Sequence, residues 1–130
     1  MAAEVWPVLR RRRAVKKSAF SSAGERPSVL EHYASFSIEC SPYVRAPVAG
    51  GGILREPQAG RLRLTLVDDV ITRGRTLLAA SGRLREVFPG AEVRAFALLR
   101  TLARDEVLCR PLDPCEGEVR WISGDARRVP

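Results

Sequence analysis

The chain predicts an α/β fold, a mostly parallel sheet of about four or five strands with helices on one or both faces. Three observations predict it. Residues Arg61 to Val67 (RLRLTLV) alternate, with Leu62, Leu64 and Leu66 on one face and Arg61, Arg63 and Thr65 on the other. After Gly74, the residues Leu77, Ala80, Leu84, Val87 and Phe88 recur at helical spacing and form one apolar stripe. Val93 to Leu99 (VRAFALL) is then a second run of buried-strand type. Strand, helix and strand within roughly 40 residues make a βαβ unit, whose two strands run parallel through a right-handed crossover.

The other elements follow in order. Glu4 to Leu9 (EVWPVL) reads as a strand that Pro7 confines to a sheet edge. Six of the eight residues from Arg10 to Lys17 are basic, and Ser18 to Pro27 is a loop rich in Ser, Gly and Pro. Ala34 to Cys40 (ASFSIEC) alternates Phe36 and Ile38 with small polar residues, the pattern of a short strand. Ser41 to Gly60 carries Pro42, Pro47, Pro57 and Gly50–Gly51–Gly52, and reads as a long loop, either a flexible connection or a wall of a binding pocket. Asp68 and Asp69 are expected to end the Arg61 to Val67 strand, and Pro89–Gly90 to stop the helix. A last short strand is expected at Val119 to Ile122.

Composition narrows the class. The 130 residues, 14.4 kDa, suit a single domain, and 45% hydrophobic with 28% charged residues argues against global disorder. No apolar run approaches the roughly 20 residues that cross a bilayer, and Val5 to Leu9 is too short for a signal peptide, so no membrane partner is expected. Cys40, Cys109 and Cys115 lack metal-ligand spacing, and the chain has one histidine, so free thiols and a cytoplasmic setting are expected. His32 reads as a surface or loop residue, and Trp6 and Trp121 as packing residues. The net charge of +7 predicts attraction to polyanions without choosing among them.

Leu64 to Thr76 (LTLVDDVITRGRT) carries the chemistry. An apolar strand delivers two carboxylates to its C-terminal end, where open α/β sheets bind ligands. A turn with Thr72, Gly74 and Thr76 then opens a helix, whose first N–H groups and macrodipole favour an anion. Gly74 permits positive φ and close approach of a ligand. Carboxylates suit hydroxyls, while the turn suits phosphate. A ribose 5-phosphate has both ends.

Val67–Asp68–Asp69–Val70–Ile71–Thr72–Arg73–Gly74–Arg75–Thr76 resembles the phosphoribosyl pyrophosphate (PRPP) motif of type I phosphoribosyltransferases, closest to those of the competence-protein-F-like kind. The resemblance implies one domain over residues 1–130, with a hood-like region at 1–40 and an α/β core at 61–130. It implies that Asp68 and Asp69 hold the ribose hydroxyls and steady charge as the C1–pyrophosphate bond breaks. Thr72, Arg73, Gly74, Arg75 and Thr76 would grip the 5-phosphate. Arg73 and Arg75 depart from the small residues common in the motif, and either add a phosphate contact or crowd the cradle. Mg2+ would bridge ligand oxygens with few protein ligands. Lys16, Lys17 and Arg26 of the hood would reach pyrophosphate, although Arg26 also reads as a brace for its loop. The implied reaction transfers phosphoribosyl to a purine- or pyrimidine-type base with release of pyrophosphate. The family's N-terminal strand–loop–helix, whose loop binds pyrophosphate, has no counterpart before Glu4. A member cut at its N-terminus is therefore expected, with binding ahead of turnover.

Other readings stand beside this one. A receiver-domain phosphoacceptor would carry its acids after the first strand, not after some 65 residues. The basic run reads equally as a solvated face or as part of the hood. A nucleic-acid patch is a weaker reading of it, since aromatics are 6% of the chain and none interleaves the run. A non-catalytic module that binds PRPP or a nucleotide uses the same site. The polar face of Arg61, Arg63 and Thr65 suggests a homodimer covering incompletely sheltered sheet.

Overall fold

In the computed structural model the described residues are 5, 7–15, 26–39, 62–101 and 114–129. They form β1 (Leu9–Arg11), α1 (Val29–Ser35), β2 (Phe36–Ile38), β3 (Arg63–Ile71), α2 (Arg75–Val87), β4 (Glu92–Arg100), β5 (Glu118–Ile122) and β6 (Asp125–Val129). The expectations for Trp6, Cys40, Cys109, Arg61 and the loop at 41–60 lie outside the described residues.

The βαβ pattern forms as its periodicities require. β3 and β4 pair in parallel, from Arg63 opposite Glu92 to Ile71 opposite Arg100. Leu62, Leu64 and Leu66 are half-buried, while Arg63, Thr65 and Val67 are exposed. α2 connects the two strands and buries Leu77, Ala79, Ala80 and Leu84. Burial of each leucine stabilises by about 2 kcal/mol. The helix closes where Phe88 N–H donates to Leu84 O at 2.8 Å, just before Pro89.

One boundary differs from expectation. Asp68 and Asp69 do not end β3, which runs on to Ile71. β4 offers a hydrogen-bonding edge along that whole length, and Thr101 N–H closes the ladder on Ile71 O at 3.0 Å. The ladder outweighs the weak strand preference of two acids.

The N-terminal part also differs. Its strand begins at Leu9, where the expected one ended, and takes Arg10 and Arg11 out of the basic run into β1. Pro7 has no N–H to give a ladder, whereas Val8 O accepts from Glu39 N at 2.7 Å. β1 pairs antiparallel with β2, Leu9 opposite Ile38. The expected Ala34 to Cys40 strand is divided, because Ala34 and Ser35 finish α1. A capping box starts α1: Ser28 Oγ accepts from Glu31 N at 3.1 Å, and Glu31 Oε2 accepts from Ser28 N at 2.6 Å. At the C-terminus, β5 turns back into β6 through Ser123 and Gly124, with φ of 53° and 80°. Positive φ at both central residues matches the twist of a two-residue hairpin.

The described strands thus make three two-stranded sheets, in a mixed α/β arrangement with one parallel pair. They share a core. Val29 and Phe36, Ala79 and Ala80 of α2, and Ala126 of β6 are buried together, with Leu9, Tyr33, Leu66 and Val119 packed against them. α1 approaches α2 closely at Gly82, where a Cβ would lie 3.2 Å from the Tyr33 ring. Arg83 stacks 4.0 Å over the same ring and joins Glu86 at 3.0 Å. No helix among the described residues is long and apolar enough to cross a membrane.

Candidate functional site

The handover from β3 to α2 forms one wall of a small open cleft. Asp68, Thr72, Arg73, Gly74, Arg75 and Thr76 all line it, and Arg26 and His32 face them from the N-terminal part of the chain. Lys16 and Lys17 lie outside the described residues.

Of the two acids, Asp68 lines this cleft, half-buried, whereas Asp69 is exposed and is not part of the lining. Because the strand continues through them, adjacent side chains take opposite faces of the pleat. Asp68 alone of the two acids therefore lines the cleft. Burial pushes the Asp68 carboxyl up from its ordinary value, and the negative charge of Asp69 adds to this. The Asp69 N–H, 3.0 Å from Oδ1, and the charge of Arg11 act against it. Asp69 Oδ1 accepts from Val70 N at 2.7 Å.

Gly74 has the positive φ the motif requires, +84°. The close approach it permits is of another kind than expected. A Cβ at Gly74 would lie 2.6 and 2.8 Å from the two methyl carbons of Val119. β5 thus occupies the space beside Gly74, so the bend is braced from within the fold. No side chain caps α2, its first turn holds no acid, and its first intrahelical bond runs from Leu78 N to Gly74 O at 2.9 Å. The preceding N–H groups and the dipole favour an anion here, with hydroxyls of Thr72 and Thr76 beside them.

Arg73 and Arg75 neither crowd this cradle nor extend freely into it. Arg75 grips Asp125 with two bonds of 2.6 Å, and its third nitrogen donates to Pro27 O at 2.9 Å and Arg26 O at 3.2 Å. Arg73 reaches the same carboxylate at 2.9 Å, with a more exposed side chain. The Arg75 guanidinium holds the Asp125 carboxyl well below the usual carboxylate range. Arg75 thus ties the bend both to Asp125 of the C-terminal hairpin and to the segment before α1.

His32 is the site residue that the sequence reading placed elsewhere. It is 6% exposed, inside the fold rather than on a surface loop. Its Nδ1 lies 3.4 Å from Arg11 Nη1, which also donates to Ser35 Oγ at 2.8 Å, while the Arg11 guanidinium stacks 4.4 Å from the Phe36 ring. Burial, with the positive charges of Arg11 and Arg75, pushes the imidazole down from its ordinary value. A signal was present in the chain: Ser28 and Glu31 have capping-box spacing, and a helix starting at Val29 places Val29, His32 and Ser35 on one buried face. The same geometry accounts for part of the basic run, since Arg10 pairs with Glu39 at 2.9 Å and Arg11, an exposed residue, bonds Ser35 Oγ at 2.8 Å.

Among the described residues no cluster of three or more His, Cys, Asp or Glu side chains could hold a metal by itself. Asp68 alone fits the sparse protein ligation of Mg2+ that arrives on phosphate oxygens. No family model, curated protein or solved structure matches the chain.

Proposed function

We propose that the cleft binds the phosphoribosyl group of PRPP or ribose 5-phosphate, and that the protein is a phosphoribosyltransferase-like enzyme acting on a nitrogenous base. The observation that carries this reading is the meeting of one half-buried acid, Asp68, with the uncapped N-terminus of α2 and two threonines in a single cleft. Asp68 accepts the ribose hydroxyls. Thr72, Thr76 and the first N–H groups of α2 take the 5-phosphate, and Arg26 lies where a second anionic group would be met. Asp125 keeps the bend in shape by holding Arg73 and Arg75. In the transfer, the bond from C1 to pyrophosphate breaks with its electron pair leaving on pyrophosphate. A base nitrogen supplies the electron pair of the new bond to C1 and releases its proton to solvent. Asp68 stabilises the developing positive charge on the sugar. Mg2+ carried with the ligand, held by Asp68, would neutralise charge on the leaving group.

The second reading is a binding module without turnover. It is favoured by the single acid in the cleft and by the engagement of both bend arginines with Asp125.

Calorimetry with ribose 5-phosphate and with PRPP, with and without Mg2+, tests binding. Asp68→Asn is expected to weaken both ligands about tenfold, the scale of one charge-assisted hydrogen bond, while leaving the circular dichroism spectrum unchanged. Equal affinity in the variant removes the reading. Release of pyrophosphate from PRPP in the presence of purine and pyrimidine bases separates the enzyme from the module.

A further inference from the structure

We propose that His32 is the proton-carrying wall of this cleft, neutral when the cleft is empty and an imidazolium that binds the phosphate when it is filled. The inference takes from the preceding reading only the placement of a phosphate group in the cleft.

The geometry points to it first. His32 lines the cleft from α1, opposite the N-terminus of α2, and its ring is packed in place. Arg11 can only donate, so the Nδ1 atom facing it must be the acceptor, which leaves the proton of the neutral ring on Nε2. The Arg11 contact is long at 3.4 Å, and Arg11 has a shorter bond to Ser35 Oγ. The second proton goes onto Nδ1, which faces the Arg11 guanidinium, so the ring takes it only when an anion offsets that repulsion.

The charges around the ring explain why it waits for a ligand. Arg11 of β1, Arg75 of α2 and Arg26 ahead of α1 are positive. Asp68 of β3 and Glu31 on the same helix are negative. Arg75 is already matched by Asp125. Burial and the arginines disfavour the imidazolium in the empty cleft. A phosphate monoester dianion at the start of α2 reverses that balance, because it adds two negative charges within the same low-dielectric wall. Binding then takes up a proton. The ligand chemistry is a phosphate monoester, and the response is stronger binding as pH falls from 8 toward 6.

His32 is the chain's single histidine, so its ring C–H signals in a proton NMR spectrum need no assignment. The protein is titrated free, with inorganic phosphate, and with ribose 5-phosphate. The midpoint is expected to lie below the ordinary histidine value in the free protein and to rise by about one unit with ligand, a tenfold change in proton affinity. Calorimetry of His32→Asn, which keeps an acceptor for Arg11, corrects for the ligand's own titration. The variant is expected to bind ribose 5-phosphate about three- to fivefold more weakly than the parent at pH 6 and equally at pH 8. The NMR midpoint decides the matter should the variant fail to fold.

Ribose 5-phosphate that binds through Asp68 without moving the midpoint, with a variant-to-parent ratio flat in pH, overturns the His32 proposal and leaves the functional reading standing. A midpoint moved equally by inorganic phosphate and by ribose 5-phosphate, at equal affinity, upholds the His32 proposal and overturns the sugar reading. Binding of neither ligand overturns both.

Discussion

The bend at residues 72–76 and the outer face of the β3–β4 pair come from neighbouring stretches of chain, yet the fold treats them in opposite ways. The bend is held from three sides: Val119 packs against Gly74, Asp125 takes both arginines, and Arg75 reaches back to Pro27 O. On the outer face, Val67 sits opposite Phe96 in register, with Leu98 two residues further on, and these side chains are 76%, 56% and 72% exposed. Alternation buried the opposite face of β3 toward α2 and left this one open. The difference teaches that contacts concentrate where the cleft must keep its shape, and that the apolar outer surface adds little to the stability of the chain.

Substitutions sharpen the contrast, beginning with the strongest. Gly74→Ala combines an unfavourable positive φ with overlap on Val119. It is expected to cost about 3 kcal/mol or more in urea unfolding. Adding Val119→Ala should recover about 1 kcal/mol, the packing share, and leave the backbone share. A Gly74→Ala protein as stable as the parent breaks the account of the bend.

Asp125→Asn comes next, at about 2 kcal/mol, because Arg75 is largely buried and its bidentate bond is lost, while the exposed Arg73 arm adds little. The sign with pH follows from the lowered carboxyl. Its contribution is fully present above the unfolded carboxylate value of about 3.9, and is lost as pH falls from there toward the folded value. Parent and variant stabilities should therefore converge on acidification below about pH 4. A constant gap across that range rules out the ion pair as the source.

The smallest effect is expected on the outer face. Leu98→Thr should change the unfolding free energy by no more than about 0.5 kcal/mol. A loss of 2 kcal/mol or more would mean that the face is covered, and the contrast would fail.

Much of the parallel pair was legible. Leu62, Leu64 and Leu66 announced β3, the apolar stripe announced α2, and Pro89–Gly90 announced its end. These are local patterns, each repeated over one element. The misplacements fell where a local pattern competes with a partner. Two acids suggested a strand end, but the β4 ladder carried β3 past them. Ala34 to Cys40 alternated like a strand, but the capping box at Ser28 claimed its first two residues for α1. β6 alternates weakly, and Ser123–Gly124 was its only announcement.

The sequence by itself determined the periods of the main elements, the positive-φ glycine at the bend and the presence of acids and hydroxyls beside it. Tertiary structure alone decided which acid lines the cleft, that Val119 fills the space at Gly74, that Asp125 takes up the bend arginines, and that His32 stands inside. Periodicity is written in neighbours a few residues apart. Charge pairing and burial depend on atoms that only folding brings together, as Arg75 and Asp125 are, 50 residues apart along the chain.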